Sequence, residues 1–450
     1  MQKNVWQLTI PIFIESMMFS LMGSIDVVML AKFSDDAVAA VSVSNQVMFL
    51  IQVLACIVTT GSGILCAQYI GANRKPEDQN TLIAASIILN LVIGLVLTVV
   101  LVLFHPVFLK LLNLDEAACA YAEEYLRILS MFIWGQMAMM AFSTILRAYG
   151  RALQCMLVSL GMNLCNITLN YLLIFGKFGC PAMGIRGAAA ATVIGRMIGF
   201  LVFGWMLYRM RKKASGWRMQ PGDINESSAG ARILQCSRDV IAYGLPAAGE
   251  QISYNCSQFF VMVFVTMLGT RTVTAYSYLN TCVSFIYMFS MALGQATAIL
   301  TGWSVGAGDY RQADRQCRFS GCCSMAVSMV IMIIVTVFRY PLFSLFTEDS
   351  EILNIACTVL LANFVREAGR SQNLIYVNAL RAAGDVQFPF YFGLISMWGF
   401  SVGMSYILGI RLGWGLTGVW LALGLDECFR ASGMNVRWKR KFGKLAEEVI

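Results

Sequence analysis

The sequence predicts an all-α, polytopic membrane protein with twelve transmembrane helices in two six-helix lobes, related by pseudo-two-fold symmetry around a central cavity. Three observations predict this fold class. Of the 450 residues, 58% are hydrophobic and only 13% are charged, whereas soluble domains carry roughly 25% charged residues. Many apolar stretches are long enough to cross about 30 Å of hydrocarbon. The first half of the chain also recurs in the second half.

Twelve apolar segments become predicted spans when neighbours are merged at their polar breaks. The first segment follows a single lysine, Lys3, and is too long for the apolar region of a cleavable signal peptide, so it is interpreted as the first span. The predicted spans lie near residues 5–31, 38–69, 81–104, 118–146, 153–175, 187–208, 239–269, 273–305, 317–338, 352–380, 387–409 and 416–436.

A fixed offset of 235 residues relates the two halves, and it becomes 234 near the end of the fourth span. The matched pairs include Pro11 with Pro246, Glu15 with Glu250, and Arg147 with Arg381. Each half holds six spans, an even number, so both halves have the same orientation. We therefore expect an axis along the membrane normal with a cavity between the halves.

The repeat also predicts the domain boundaries. The N-lobe is expected to comprise residues 1–208 and the C-lobe residues 239–450. Residues 209–238 are polar and basic, and they are predicted to form a cytoplasmic linker between the lobes.

The distribution of positive charge predicts the orientation in the membrane. With the N-terminus inside, 21 of the 33 lysines and arginines fall on one side, seven on the other and five within spans. This bias satisfies the positive-inside rule and predicts a multi-pass protein of the plasma (inner) membrane with both termini cytoplasmic. The net charge of +8 is therefore a signal of topology, and we expect no nucleic-acid partner.

Enzymatic chemistry finds little support in the sequence. The only histidine, His105, lies at a predicted outer loop, which excludes two-histidine metal sites and leaves no conventional histidine-based triad elsewhere. No GxxxxGK[ST] loop is present, so the chain has no recognisable ATP motor. We predict that the protein is not an enzyme, uses no cofactor and carries out any transport with an ion gradient.

Five motifs carry a resemblance to a known family. They are "GSIDVVMLAKFSDDAVAAVSVSNQ" (23–46), "AQYIGANRKPED" (67–78), "GWSVGAGDYRQAD" (302–314), "TILRAYGR" (144–151) and "NALRAAGD" (378–385). Over essentially its whole length the chain resembles the multidrug and toxic compound extrusion (MATE) family. The resemblance implies twelve spans in two lobes. It also implies export of amphipathic, often cationic compounds driven by proton or sodium influx.

Ionisable residues within spans are the candidates for function, because a charge at mid-bilayer costs roughly 2.5–3.5 kcal/mol and must face a cavity or a partner. Glu15, Met22 and Asp26 share one face of the first span. Asp26 stands where the resemblance places the first-span coupling aspartate; a structural hydrogen bond is the alternative. For Glu15, which recurs as Glu250, a symmetric structural role competes with a coupling role.

The fifth span offers three amides at i, i+3 and i+7: Asn163, Asn166 and Asn170. A neutral amide can bond a carboxyl group in either protonation state, so these residues are predicted partners of Asp26 in the coupling-ion site. Packing between helices is the alternative. Many family members carry Asp-Pro where this chain has Asn170-Tyr171, and this departure removes a second carboxylate.

The C-lobe differs from the N-lobe in its charges. The resemblance to the sodium-coupled branch of the family would place acids at positions occupied here by Tyr254 and Arg370, so the proton is the predicted coupling ion, with sodium near Asp26 as the alternative and no other metal. Glu250, Tyr254, Glu367 and Arg370, together with Met22, are predicted to line the substrate cavity.

Ion pairs are the structural alternative for these C-lobe residues, either Glu367 with Arg370 or Glu250 with an arginine across the lobe. Near the inner end of the last span, Asp426, Glu427 and Arg430 are predicted to form a structural lock. Neither assignment involves contact with substrate.

The predicted function is secondary antiport: export of amphipathic, cationic drugs or toxic compounds driven by proton or sodium influx, with Asp26 as the coupling carboxylate. The expected partners are a small-molecule substrate, the ion and the lipid bilayer, and we expect a monomer. A lipid-linked oligosaccharide flippase of the same superfamily is the alternative within transport. A membrane scaffold or receptor is the alternative outside it.

Overall fold

The computed structural model describes residues 4–110, 115–215 and 226–443, and all regular structure within them is helical. The helices are α1 (Val5–Ala31), α2 (Asp35–Gly71), α3 (Pro76–Lys110), α4 (Glu116–Ser130), α5 (Ile133–Ala148), α6 (Ala152–Phe175), α7 (Ile185–Ser215), α8 (Glu226–Met267), α9 (Thr270–Gly306), α10 (Tyr310–Val337), α11 (Arg339–Ser344), α12 (Ser350–Ala382), α13 (Gln387–Ser396) and α14 (Gly415–Trp438). Helix α13 continues as the π-helix Met397–Arg411, and α14 is followed by the π-helix Lys439–Gly443.

The helices confirm the predicted all-α, membrane-spanning fold. Among the described residues, nine helices are long and apolar enough to cross a membrane, and the bent pair α4–α5 makes a tenth if it is one span. The two remaining predicted spans, 239–269 and 416–436, coincide with the long helices α8 and α14.

The fourth predicted span, 118–146, is not one straight helix. Helices α4 and α5 meet at an angle of 54°. The break leaves backbone amides without a partner in the helix. One of them, the amide of Trp134, donates to the Thr98 hydroxyl on α3 (3.3 Å), so its hydrogen bond is made inside the protein. The Phe132 ring lies where a Cβ of residue 135 would sit, within 2.3 Å, and only glycine at that position leaves it room.

The described chain forms two compact units. The first, here the N-unit, is built from Ile10–Cys66 and Arg74–Leu245. The second, the C-unit, is built from Met1–Thr9, Ala67–Asn73 and Pro246–Ile450. Each unit has its own hydrophobic core.

The predicted lobe boundaries remain predictions. Helix α7 extends to Ser215 and α8 begins at Glu226, so the described ends of the predicted linker, residues 209–238, are helical. Its central part, residues 216–225, lies outside the described residues.

In the C-unit, close helix packing positions the polar residues. A Cβ at Gly369 would lie 2.4 Å from the backbone nitrogen of Cys428, so α12 and α14 approach backbone to backbone at this point. The contact brings the polar face of α12 beside Glu427 of α14. Trp420, with no exposed surface, anchors the same interface and donates through Nε1 to Oδ1 of Asn363 (3.0 Å).

Candidate functional site

A chain of hydrogen bonds connects three helices of the N-unit at Asp26. The Nδ2 of Asn170 on α6 donates to Oδ1 of Asp26 on α1 (2.7 Å) and to Oδ1 of Asn166 (2.9 Å). The Nδ2 of Asn166 donates to the Thr192 hydroxyl on α7 (3.3 Å). These four residues, Asp26, Asn166, Asn170 and Thr192, are called the Asp26 network below.

The helical period of α6 places the amides on the inner face of the N-unit. Asn163, Asn166 and Asn170 are 4%, 2% and 2% exposed, although they lie in an apolar span. Two of their polar atoms, Nδ2 of Asn163 and Oδ1 of Asn170, are buried and bond to no described residue. Buried amide groups without partners are costly, so the site has capacity for a further hydrogen bond or a bound ion.

The charge near Asp26 comes from one arginine that the sequence reasoning did not single out. Arg196 lies one turn beyond Thr192 on α7, and its Nη1 donates to Oε1 of Gln136 on α5 (2.6 Å). The positive charge of Arg196 acts on Asp26, yet Asp26 forms no ion pair with any described residue. In the sequence, Arg196 was visible only as one of the five cations within spans.

Glu15 and Glu250 occupy equivalent ion pairs in the two repeats. Glu15 on α1 accepts from Nη2 of Arg147 at the end of α5 (2.8 Å) and from the Ser159 hydroxyl (2.7 Å). Glu250 on α8 accepts from Nη2 of Arg381 near the end of α12 (2.5 Å). Both arginines belong to the matched Leu-Arg-Ala motifs, so the repeat conserves the pair as well as the residues.

These contacts separate Glu15 from the Asp26 network. The eleven residues between Glu15 and Asp26 correspond to about 16 Å along the helix axis, and their described hydrogen-bond partners differ. Met22 lies between them, about one turn before Asp26, and is partly exposed.

In the C-unit, the predicted lock near the end of the last span forms. Arg430 donates from Nη2 to Oδ2 of Asp426 (2.8 Å) and lies 3.0 Å from Oε1 of Glu427, and all three side chains are almost completely buried. The Asn373 amide donates to Glu427 (2.9 Å) and the Ser396 hydroxyl donates to Asp426 (2.5 Å). Both carboxylates are therefore held by an arginine and by a neutral donor.

The other C-unit candidates are not joined by ion pairs. The guanidinium of Arg370 lies 3.7 Å from the ring centroid of Tyr287 and donates no hydrogen bond to a described residue. Glu367 is fully buried, and neither carboxylate oxygen accepts a hydrogen bond from a described residue. Of the two predicted alternative pairs, the one at Glu250 forms, whereas Glu367 and Arg370 do not reach ion-pair distance. Tyr254 lies about one turn after Glu250 on α8 and is partly buried.

The groups of the Asp26 network that could accept a proton or a cation are oxygens. The Asp26 network supplies one carboxylate, two amide oxygens and one hydroxyl. Among the described residues, no group of three or more His, Cys, Asp or Glu side chains is arranged to hold a metal ion.

Comparison with known proteins agrees with the internal repeat. The MatE family model matches the chain twice, at residues 11–172 and 246–407, and the two matches start 235 residues apart, at the offset of the repeat. The chain is 34% identical to the "Uncharacterized transporter YisQ" of Bacillus subtilis over 442 residues, which cover 97% of this chain and 94% of YisQ. It is 26% identical to the "Probable multidrug resistance protein NorM" of Thermotoga maritima over 436 residues, 96% of this chain and 90% of that protein.

Solved structures share the fold. An outward-facing multidrug resistance MATE family transporter of the MOP superfamily superposes with a TM-score of 0.87 at 20% identity, over 98% of this chain and 96% of the other. A MOP superfamily transporter from Pyrococcus furiosus, whose binding pocket is described as having reverse polarity, superposes with a TM-score of 0.86 at 20% identity and the same coverage.

Proposed function

The chain belongs to the MatE family, and from that premise we propose that it is a secondary antiporter that exports amphipathic, cationic compounds in exchange for a cation bound at Asp26. The observation that carries the proposal is the bond between Asn170 and Asp26 on a carboxylate that has no ion pair among the described residues. A carboxyl group held by a neutral amide can gain and lose a cation without breaking a salt bridge.

The proposed exchange uses the free oxygen of Asn170. When Asp26 is ionised, it accepts a hydrogen bond from Nδ2 of Asn170. When Asp26 is protonated, its O–H needs an acceptor, and Oδ1 of Asn170 is buried and bonds to no described residue. A rotation of the Asn170 amide would therefore bring its Oδ1 to the protonated carboxyl group of Asp26, where it would accept the hydrogen bond. Asn166 and Thr192 would follow this rotation, because they continue the same hydrogen-bonded chain.

We propose the proton as the coupling ion, with sodium as the alternative. Sodium favours several hard oxygen ligands, by analogy with other hard cations. The network has only one carboxylate among its oxygens, and the positive charge of Arg196 opposes the binding of sodium and of a proton alike. A proton needs only one oxygen, and apolar surroundings favour the neutral form of a carboxyl group. Asp26 is half-buried within the apolar helix α1.

The test of coupling is drug efflux from proteoliposomes under separate gradients. With equal pH on both sides, an inward sodium gradient alone should drive no efflux, whereas a pH gradient should drive it. Efflux driven by sodium and unaffected by collapse of the pH gradient would reassign Asp26, Asn166 and Asn170 to a sodium site.

The test of the site is Asp26→Asn, which keeps the shape and hydrogen bonding of the side chain but removes the exchangeable charge. We expect folded protein whose gradient-driven efflux is abolished. Asp36→Asn, at the exposed start of α2, is the matched control and should export like the unmodified protein. Undiminished flux through Asp26→Asn would end the coupling role.

One observation favours a second candidate, a flippase for lipid-linked oligosaccharides. Arg370 presents a guanidinium stacked on Tyr287 without an acceptor among the described residues, and such a group suits a phosphate. Flipping of a fluorescent lipid-linked sugar in proteoliposomes, without dependence on either ion gradient, would favour this candidate over drug export.

The proposed orientation has both termini in the cytoplasm of a monomer in the plasma membrane. The division into residues 1–208 and 239–450, joined by 209–238, is part of the same proposal. A cysteine introduced at Ser215, at the end of α7, should react with an impermeant reagent only from the cytoplasmic side. Labelling of that cysteine in intact cells would reverse the orientation.

A further inference from the structure

A groove of about 520 Å³ lies between α6 and α7 on the surface of the N-unit, apart from the Asp26 network. Its walls are apolar, and Leu157 and Trp205 in them are 54% and 56% exposed. Two arginines line the groove: Arg151, directly before the first residue of α6, and Arg209, near the end of α7. The groove therefore combines an apolar wall with positive charge at one end.

Neither arginine is neutralised by the protein. Nη1 of Arg151 donates to Oε1 of Gln154 (3.2 Å), and the guanidinium of Arg209 lies 5.2 Å from the ring centroid of Trp205. No carboxylate among the described residues forms an ion pair with either one. The two cations thus remain available to an anion, and Trp205 holds one of them against the apolar wall.

In the proposed orientation, the groove would lie at the height of a lipid headgroup layer, because its arginines stand at the ends of two predicted spans. Helix α6 begins and α7 ends on the side of the membrane that carries the excess of lysine and arginine, which is the cytoplasmic side in the orientation proposed above. The cytoplasmic leaflet is rich in anionic lipids, and basic pockets between transmembrane helices on that side suit their headgroups. The long side chains of the arginines can reach the headgroup layer while their stems pack on apolar residues.

We propose that this groove binds an anionic phospholipid, with its phosphate between Arg151 and Arg209 and an acyl chain along Leu157 and Trp205. The site differs from the proposed substrate and ion sites, because it lies on the surface between α6 and α7 and shares no residue with either of those sites.

The repeat provides an internal comparison. A smaller groove of about 360 Å³ lies between α13 and α14 in the C-unit, with Phe392 at the position that the 234-residue offset pairs with Val158 of the first groove. It too carries two arginines, Arg437 and Arg440. Arg437, however, forms an ion pair with Asp385 (2.8 Å), so this groove offers less free charge. We expect the N-unit groove to bind the anionic lipid more tightly.

The test uses Trp205 as a local reporter in liposomes that contain lipids with brominated acyl chains. The quenching due to Trp205 is obtained by subtracting the signal of Trp205→Phe from that of the unmodified protein. Brominated phosphatidylglycerol should half-quench this component at a mole fraction roughly thirtyfold below that of brominated phosphatidylcholine, because each of the two arginines near the surface contributes about 1 kcal/mol to anionic-lipid binding and about 1.4 kcal/mol corresponds to a factor of ten.

Charge-matched variants, each paired with Trp205→Phe for the same subtraction, identify the site. Arg151→Gln with Arg209→Gln should bring the ratio of the two half-quenching fractions close to one. Arg311→Gln with Arg315→Gln removes the same charge from exposed positions at the start of α10 and should leave the ratio unchanged. Elution as a single species from a sizing column shows that each variant is folded.

Three outcomes would overturn the proposal. Equal quenching by both lipids in the unmodified protein would mean apolar contact without headgroup recognition. A preference that survives Arg151→Gln with Arg209→Gln would place the recognition elsewhere. Loss of the preference on adding soluble glycerol phosphate would mean that a water-soluble anion is the ligand. Asp26→Asn with Trp205 intact should show the unmodified ratio, so failure of the transport proposal leaves this test valid.

Discussion

Buried carboxylates have different partners in the Asp26 network of the N-unit and in the C-unit cluster, which is formed by Asp426, Glu427 and Arg430. Asp26 is half-buried, bonds to a neutral amide and has no ion pair among the described residues. Asp426 and Glu427 are almost completely buried and share the guanidinium of Arg430. Both regions place acids within spans, but only the first leaves its acid without a fixed counter-charge.

The difference indicates which region can change its protonation at low cost. Protonation of Asp26 breaks no salt bridge, whereas protonation of Asp426 or Glu427 would leave Arg430 with an incomplete set of partners in an apolar environment. The C-unit cluster is therefore expected to hold the helices α12 and α14 together, and the Asp26 network to exchange ions. The predictions below test this division, beginning with the largest expected effect.

Removing the shared arginine should produce the largest loss of stability. Arg430→Gln leaves two buried carboxylates without their counter-charge, and we expect the free energy of unfolding to fall by about 3–5 kcal/mol. Asp26→Asn, which retains its hydrogen bond, should cost less than about 1 kcal/mol. Equilibrium unfolding in mixed micelles measures both values. Equal losses from the two variants would remove the distinction between the regions.

The repeat-related pairs should give a smaller and unequal effect. Arg381→Gln leaves Glu250 without the partner that holds it, whereas after Arg147→Gln the Glu15 carboxylate still accepts from the Ser159 hydroxyl. We expect a loss of about 1–3 kcal/mol for Arg381→Gln and roughly half as much for Arg147→Gln. Arg147→Gln combined with Ser159→Ala should lower the free energy of unfolding by about as much as Arg381→Gln does, because Glu15 then also lacks a donor. A larger loss from Arg147→Gln alone would show that the pairs are not equivalent.

The smallest effect concerns the loop after α12. Burial opposes ionisation of Asp385, but bonds from Arg437 and Lys441 outweigh it and hold the pKa of this carboxyl below its ordinary value. A lowered pKa contributes stability above the unfolded value of about 3.9, and this contribution is lost as the pH falls through the folded value. Because both cations are more than a third exposed, solvent screening limits it to about 1 kcal/mol.

The measurement for Asp385 is the difference in thermal stability between the unmodified protein and Asp385→Asn as a function of pH. The difference should be constant from about pH 7 to about pH 5 and should close below about pH 4. A difference that grows on acidification would contradict the assigned pairing.

Much of the fold follows from the sequence because membrane spans and internal repeats have strong signatures. The length of the apolar segments predicted the helices, and the offset of 235 residues predicted that Glu15 and Glu250 are equivalent. The bend at Phe132 was not predictable, because it depends on a ring that packs over Gly135 and on a hydroxyl from α3. The pattern of apolar residues along the chain indicates neither contact.

The candidate site was predicted less completely. The period of α6 and the position of Asp26 were enough to anticipate the bond between Asn170 and Asp26. Thr192 and Arg196 come from α7, and the sequence does not say which face of α7 meets α6. Likewise, Glu250 could be expected to pair with an arginine, but the choice of Arg381 depends on the packing of α8 against α12.

Proton release on substrate binding tests the division between the two regions most directly. The protein in weakly buffered detergent solution, with a pH indicator, is titrated with ethidium, an amphipathic cation. If binding of the drug and of a proton at Asp26 exclude each other, the unmodified protein and Glu367→Gln should both release protons, and Asp26→Asn should release none. Proton release that persists in Asp26→Asn and disappears in Glu367→Gln would contradict the account and move the exchanging carboxyl group to the C-unit.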